Sequence, residues 1–130
     1  MLRRLFRCNR GSSIIDFAFA LPVLATLMVG TLEMGQVLHA SGALRHALGD
    51  GIRLAKVDPT ASEADVLGVV REQLAGINPD GIKTLKFTRG TKNGASFGEV
   101  EISYEIQPVI PFVPTGALTL NESKSAYLPS

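Results

Sequence analysis

The sequence predicts an α+β protein: a long N-terminal hydrophobic helix with a membrane half and an amphipathic half, a second short helix and a small antiparallel sheet. Three observations predict it. Residues 14–32 form an apolar run of 19 whose single charge is Asp16. Residues 35–57 carry on at helical spacing, now with one apolar face. Two stretches between residues 83 and 107 alternate apolar and polar side chains around a Gly- and Asn-containing turn. With 130 residues, 45% of them hydrophobic, the chain has the length of one small domain and is too apolar for disorder. A lone cysteine, Cys8, excludes a disulfide scaffold.

The net charge of +1 gives no sign of a nucleic-acid partner, but it conceals an asymmetry. Arg3, Arg4, Arg7 and Arg10 stand before the apolar run, and no acid precedes Asp16. The run that follows lies within the ~17–25 residues a helix needs to cross ~30 Å of hydrocarbon. Ten of its members are Leu, Ile, Val or Phe, contributing roughly −3 to −6 kcal/mol to insertion. Asp16 costs at most ~2.5–3.5 kcal/mol, and less at its place near one end. Insertion wins. The arginines keep their end on the cytoplasmic side, so the remainder is expected across the membrane, which in a bacterium is the periplasm. A cleaved secretory signal and the buried core helix of a soluble protein compete with a permanent anchor. A signal's apolar stretch is shorter and ends at a small-residue cleavage site, and a core helix leaves the arginine cluster unexplained.

Pro22 removes one helical hydrogen bond and is expected to kink or loosen the helix, as membrane helices tolerate. Beyond Gly35, Val37, Leu44, Leu48, Ile52 and Ala55 fall on one face, with His39, His46, Asp50 and Arg53 opposite. Asp58-Pro59 ends the helix. A helix over residues 14–57 is about 66 Å long. Gly35, Gly42 and Gly49 recur every seven residues on the polar side. That spacing fits either a strip where another subunit's backbone comes close or chance glycines on a helix held by packing.

Thr60-Ala61-Ser62-Glu63 has the form of a capping box, with Val66, Val69, Val70 and Leu74 marking a second helix that ends near Gly76. Asn78-Pro79-Asp80-Gly81 predicts a turn. The first strand, 83–89, places Leu85 and Phe87 on one face. The second, 97–107, points Val100, Ile102, Tyr104 and Ile106 inward and Glu99, Glu101, Ser103 and Glu105 outward. Gly90 to Gly94 forms the hairpin loop between them. Residues 108–114, with three prolines, cross to another edge, and residues 115–128 add a strand through Leu118, Leu120 and Tyr127. The sheet is expected to pack on the second half of the long helix.

No catalytic constellation emerges, so the chain is read as a non-enzyme. His39 and His46 lack a third ligand for a metal site, and no P-loop, nucleophile elbow or dinucleotide motif occurs. The three glutamates of the second strand share a solvated face. No cofactor is implied. Asn121-Glu122-Ser123 matches a glycosylation triplet that is common by chance.

The junction between the basic head and the apolar run carries the sharpest signal. Gly11-Ser12-Ser13-Ile14-Ile15-Asp16-Phe17 resembles a type IV prepilin cleavage site: a short basic leader, a glycine, an acid five residues later, an aromatic, then a hydrophobic helix. Together with Pro22 and the later pair Glu33 and Gly35, the segment resembles TadE-like pseudopilins of the Flp (Tad) pilus system. The resemblance implies a pilin-like fold and the division into leader (1–11), transmembrane or pilin-core helix (12–33) and periplasmic pilin-like domain (34–130). It further implies cleavage by a prepilin peptidase after Gly11, leaving Ser12 as the new N-terminus. Asp16 would then be the acid that meets an N-terminal amine, its own or a neighbour's, and Phe17 the adjoining aromatic. The expected partners are that peptidase, other major and minor pilins, an inner-membrane assembly platform and membrane lipid, with no nucleic acid. The expected location is the bacterial inner membrane, or the pilus itself. The residues themselves also allow an uncut anchor, with Asp16 reaching to the membrane edge and the C-terminal part acting as a binding module.

Overall fold

The computed structural model describes residues 10–129. Arg3, Arg4, Arg7 and Cys8 therefore lie outside the described residues. The fold is α+β, with one long helix, one short helix and a three-stranded antiparallel sheet.

The first helix, α1, runs over Arg10–Val57, 48 residues without a break. It begins four residues before the apolar run and passes through Pro22 without interruption. The helix ends where expected: Asp58 donates its N–H to the Leu54 carbonyl at 2.9 Å, and Pro59 prevents continuation. The two halves of α1 have different surroundings. Its apolar window has a mean hydropathy of 1.9, and none of it is buried; that removes the reading of a soluble protein's core helix. In the second half, Leu44, Leu48, Ile52 and Ala55 are buried as the periodicity predicts, joined by Ala40 and Ala47. Val37 is only half-buried.

The second helix, α2, covers Glu63–Gln73. Its N-cap is Ser62, two residues beyond the expected position. The Ser62 hydroxyl accepts from the Asp65 N–H at 3.2 Å, and Asp65 accepts from the Ser62 N–H at 2.8 Å. Thr60 is occupied elsewhere: its hydroxyl and N–H both donate to Asp58, at 2.6 and 2.9 Å, in a turn just after α1. The two Ser/Thr-x-x-acid candidates overlap, and Asp58 decides between them by taking Thr60. The Ser62 hydroxyl, then its N–H, holds the Asp65 carboxyl below its ordinary value; the Thr60 hydroxyl, then its N–H, does the same for Asp58. Val66, Val70 and Leu74 are buried against α1.

Close approach of the two helices depends on Gly51. A Cβ there would lie 2.5 Å from Val70 Cγ2. The Gly35, Gly42 and Gly49 series is less constrained: Cβ atoms at Gly35 and Gly42 meet open space, and one at Gly49 makes ordinary contact with Lys124 Nζ at 3.7 Å. Gly51→Ala is expected to destabilise the folded part by about 1–3 kcal/mol. Val70→Ala removes the clashing methyl, so the double variant should lose less than the two single losses added together. Denaturant unfolding of all four proteins measures that coupling. Strictly additive losses would show that Gly51 is not what brings the helices together.

Asn78 caps a single 3-10 turn, Pro79–Gly81, by accepting from the Asp80 N–H at 3.0 Å. Strand β1 is Ile82–Lys92, β2 is Ala95–Ile106 and β3 is Leu118–Tyr127, in the order β1-β2-β3. The β1–β2 hairpin is tighter than expected. Lys92 pairs with Ala95, and only Asn93 and Gly94 form the turn, with φ of 55° and 80°. Positive φ at both central positions is the Asn-Gly type I′ pattern, whose twist matches the strands it joins. An irregularity between Ile82 and Thr84 shifts the register, so Ile82 opposite Tyr104 and Leu85 opposite Ile102 face the same side despite their odd spacing.

The inner face of β2 is as predicted, with Val100, Ile102 and Tyr104 buried and Ile106 half-buried. The expected last strand forms as β3, and its pairing puts the named residues on different faces. Leu120 is half-buried inside, but Tyr127 has the opposite parity, pairs with Phe97 and lies on the outer face. Both helices cover the inner face, α1 against β2 and β3, α2 against β1. Two polar clasps fix the layers. Arg45 Nε donates to Glu122 at 3.0 Å, tying α1 to β3. Arg89 donates to the carbonyls of Pro59 and Ala61 at 3.0 and 2.7 Å, tying β1 to the α1–α2 connection.

Candidate functional site

The unburied half of α1 is the candidate site. Ile14, Ile15, Phe17, Phe19, Leu21, Val23, Leu24, Leu27, Met28 and Leu32 are all exposed. Successive residues of a helix point 100° apart, so these side chains surround the rod on every side. A soluble monomer rarely exposes apolar patches beyond a few hundred Å²; a rod apolar all round belongs in lipid or among other rods. Its hydroxyls suit such a place. Thr26 donates to the Pro22 carbonyl and Thr31 to the Leu27 carbonyl, each at 2.8 Å, so neither hydroxyl lacks a hydrogen-bond acceptor.

The residues singled out in the sequence occupy the two ends of this rod. Gly11 and Ser12 lie in the first turn of α1, where backbone N–H groups have no intrahelical acceptor. Asp16, one turn on, is exposed beside exposed Phe17. Among the described residues Asp16 has no ion-pair partner; the ion pairs are Arg45–Glu122 and Lys83–Glu105. Glu33 is half-buried just past the apolar run, and exposed Gly35 follows. Asp16 and Glu33 are 17 residues apart, about 25 Å along the axis. The structure therefore separates these residues into an acidic tip and an exit collar.

Gly35 lies between two grooves. One is lined by Gln36, His39, Ile77, Tyr104 and Ile106, where the folded part meets the helix. The other is formed by Thr26, Gly30, Met34 and Leu38 of α1 with Ile110 and Val113 of the β2–β3 connection. The sequence predicts that connection as a crossing between sheet edges; in the structure it also turns back alongside the apolar rod. The signal for it was the absence of any ionisable residue from 106 to 121.

The remaining sequence candidates lie elsewhere. His39 and His46 are exposed, and among the described residues no three His, Cys, Asp or Glu side chains are grouped to hold a metal ion. Glu99, Glu101 and Glu105 face away from the helices, opposite Ser125, Ser123 and Thr119 of β3. Glu122, the middle residue of the glycosylation triplet, accepts from Arg45 and, at 3.4 Å, from Ser41.

Residues 11–53 match the family model described as TadE-like protein. The match begins at the candidate leader glycine, includes Asp16, Phe17, Pro22, Glu33 and Gly35, and stops four residues short of the end of α1. The resemblance read from those residues is thus borne out, and the chain is similar to a family named for the Tad pilus system. No curated protein and no solved structure matches the chain.

Proposed function

We propose that this chain is a minor pilin or pseudopilin that takes part in starting or capping an adhesive pilus of the Flp/Tad type. A prepilin peptidase cuts after Gly11, removing the leader with its four arginines. The apolar half of α1 holds the product in the inner membrane, with the folded part in the periplasm, until the helix stacks beside those of other pilins at the assembly platform. Its role is that of a peptidase substrate and building block, not a catalyst.

The observation that carries this reading is a continuous helix with one half buried under a folded head and the other apolar on every side. A rigid connection between head and rod lets helix packing in a fibre position the heads. Asp16 fits the role of register. A carboxylate in a low-dielectric surrounding requires a counter-charge, and cleavage supplies one in the Ser12 ammonium. Four residues of rise, about 6 Å, separate the two positions along the helix, so the amine of an axially shifted neighbour can meet Asp16.

Gly11→Leu tests the cleavage. In membranes containing the peptidase, the intact mass of the native chain should correspond to a start at Ser12, and that of the variant to the full leader, with pilus assembly lost. Native chain that keeps its leader with and without the peptidase would instead describe an uncut single-pass protein with a periplasmic binding domain.

A further inference from the structure

The β2–β3 connection, residues 107–117, is built unlike an ordinary solvent loop. It contains Pro108, Pro111 and Pro114, and it lies within the sixteen residues, 106–121, that carry no ionisable side chain. Val109 and Phe112 are 72% and 82% exposed, while Ile110 and Val113 face the groove against α1. Phe112 sits at φ +64°, one of two non-glycine residues with positive φ among the described residues. The Val113 N–H donates to the Ile110 carbonyl at 3.2 Å, closing a turn with Pro111 and Phe112 at its centre. A proline followed by positive φ is the type II pattern, whose third position ordinarily takes glycine. Here a bulky aromatic holds that position, with its ring directed away from the protein.

The loop's level along α1 decides what meets that ring. The Thr26 hydroxyl approaches the Pro111 carbonyl at 3.4 Å, and Thr26 lies six residues inside the apolar run, about 9 Å short of its end at Leu32. A bilayer that covers the rod to Leu32 therefore reaches the tip of this loop. We infer that residues 109–113 form a second membrane contact, inserting Val109 and Phe112 among the acyl chains of the leaflet next to the folded head. The inference rests on the reading of α1 as a membrane helix.

Irregular backbone in lipid is costly when its polar groups lack partners, and this loop limits that cost. Three of its residues are prolines without an N–H, the Val113 N–H is bonded, and the Thr115 hydroxyl donates to the Pro108 carbonyl. The shallow depth resembles that of interfacial segments, which bury their apolar side some 5–10 Å at the headgroup–acyl boundary. With the helix as one attachment and the loop as another, the head would lose freedom to rotate about the helix axis. A soluble partner would have no reason to bind at the level of Thr26, which the bilayer already occupies.

The chain has no tryptophan, so single replacements report without background. Phe112→Trp, Val109→Trp and Leu27→Trp are made in the full chain and reconstituted in phosphatidylcholine–phosphatidylglycerol vesicles with brominated acyl chains. The inference expects emission of all three to be blue-shifted and quenched, the loop positions to a degree comparable with Leu27→Trp. Quenching of Leu27→Trp with unquenched emission from both loop variants overturns the loop insertion and leaves the membrane helix intact. If Leu27→Trp is also unquenched, both fail. Quenching at Phe112→Trp that vanishes when an added pilin partner covers the loop would place that surface at a subunit contact in the fibre and still confirm insertion before assembly.

Discussion

Leu48→Ala should cost the folded part about 2–5 kcal/mol of stability, the range for truncating a leucine in a close-packed core. Leu48 is 1% exposed on α1, amid a buried set that includes Leu44, Val66, Val70 and Val100. That core is small, and Ala40, Ala47, Ala55 and Ala61 fill much of it, so few large side chains carry the apolar burial. Against a typical domain stability of about 5–15 kcal/mol, a loss of this size would leave the head marginal. The helical far-UV signal is a poor monitor, because the membrane half of α1 keeps its internal hydrogen bonds in detergent or lipid. Tyr104, buried on β2, offers a better one: its near-UV circular dichroism should melt earlier in the variant. Cooperative loss of that signal at an unchanged midpoint would show that the head is not held on α1 by this core.

The parts of the fold that were readable share one physical property: a single solvent or a single period determines them. The apolar run needed only hydropathy and length, and β2 only strict alternation on a sheet with one wet face. The capping box and the hairpin turn were readable as types and misplaced by position. Two acceptable caps overlap between Thr60 and Asp65, and the choice rests on a hydrogen bond to Asp58 that neither candidate displays by itself. The Asn93-Gly94 turn lies inside the longer loop expected from Gly90 to Gly94, because glycines at both ends suggested a wide connection and pairing continued to Lys92. On β3 the faces follow from pairing alone: Leu120 lies opposite Tyr104 on the inner face, and Tyr127, of the other parity, lies outside.

Features set by long-range contact were not readable. Gly51 looks like any other glycine in the helix until Val70 arrives from α2, while the regular seven-residue series drew attention to positions that meet open space or one lysine. Ile82 joins the inner face only through an irregularity in pairing. The candidate site divides in the same way. Its glycine, acid and apolar run are local in sequence, and the family match covers them. The β2–β3 loop reaches the site from more than seventy residues away, and no local pattern predicts its level on the helix.

Arginine in place of Leu24 should abolish membrane attachment without unfolding the head. Leu24 lies near the middle of the apolar run and is 54% exposed, so it lends nothing to the core. In lipid it faces hydrocarbon, where an arginine costs about 2.5–3.5 kcal/mol and the lost leucine another ~0.5 kcal/mol. A total near 3–4 kcal/mol consumes most of the roughly −3 to −6 kcal/mol that the run supplies, and lowers partitioning by a factor on the order of 100 to 1,000. Val57→Arg makes a similar change at the far end of the same helix, where Val57 is 75% exposed to water, and should alter neither attachment nor stability. Alkaline extraction of membranes expressing each variant measures the first effect, and Tyr104 near-UV melting the second. Equal losses of attachment from the two arginines would mean that exposure alone, not depth in a bilayer, governs how α1 is held. Leu24→Arg released with its head intact would show that one uninterrupted helix obeys two solvents, its apolar half answering to lipid and its amphipathic half to the packed sheet.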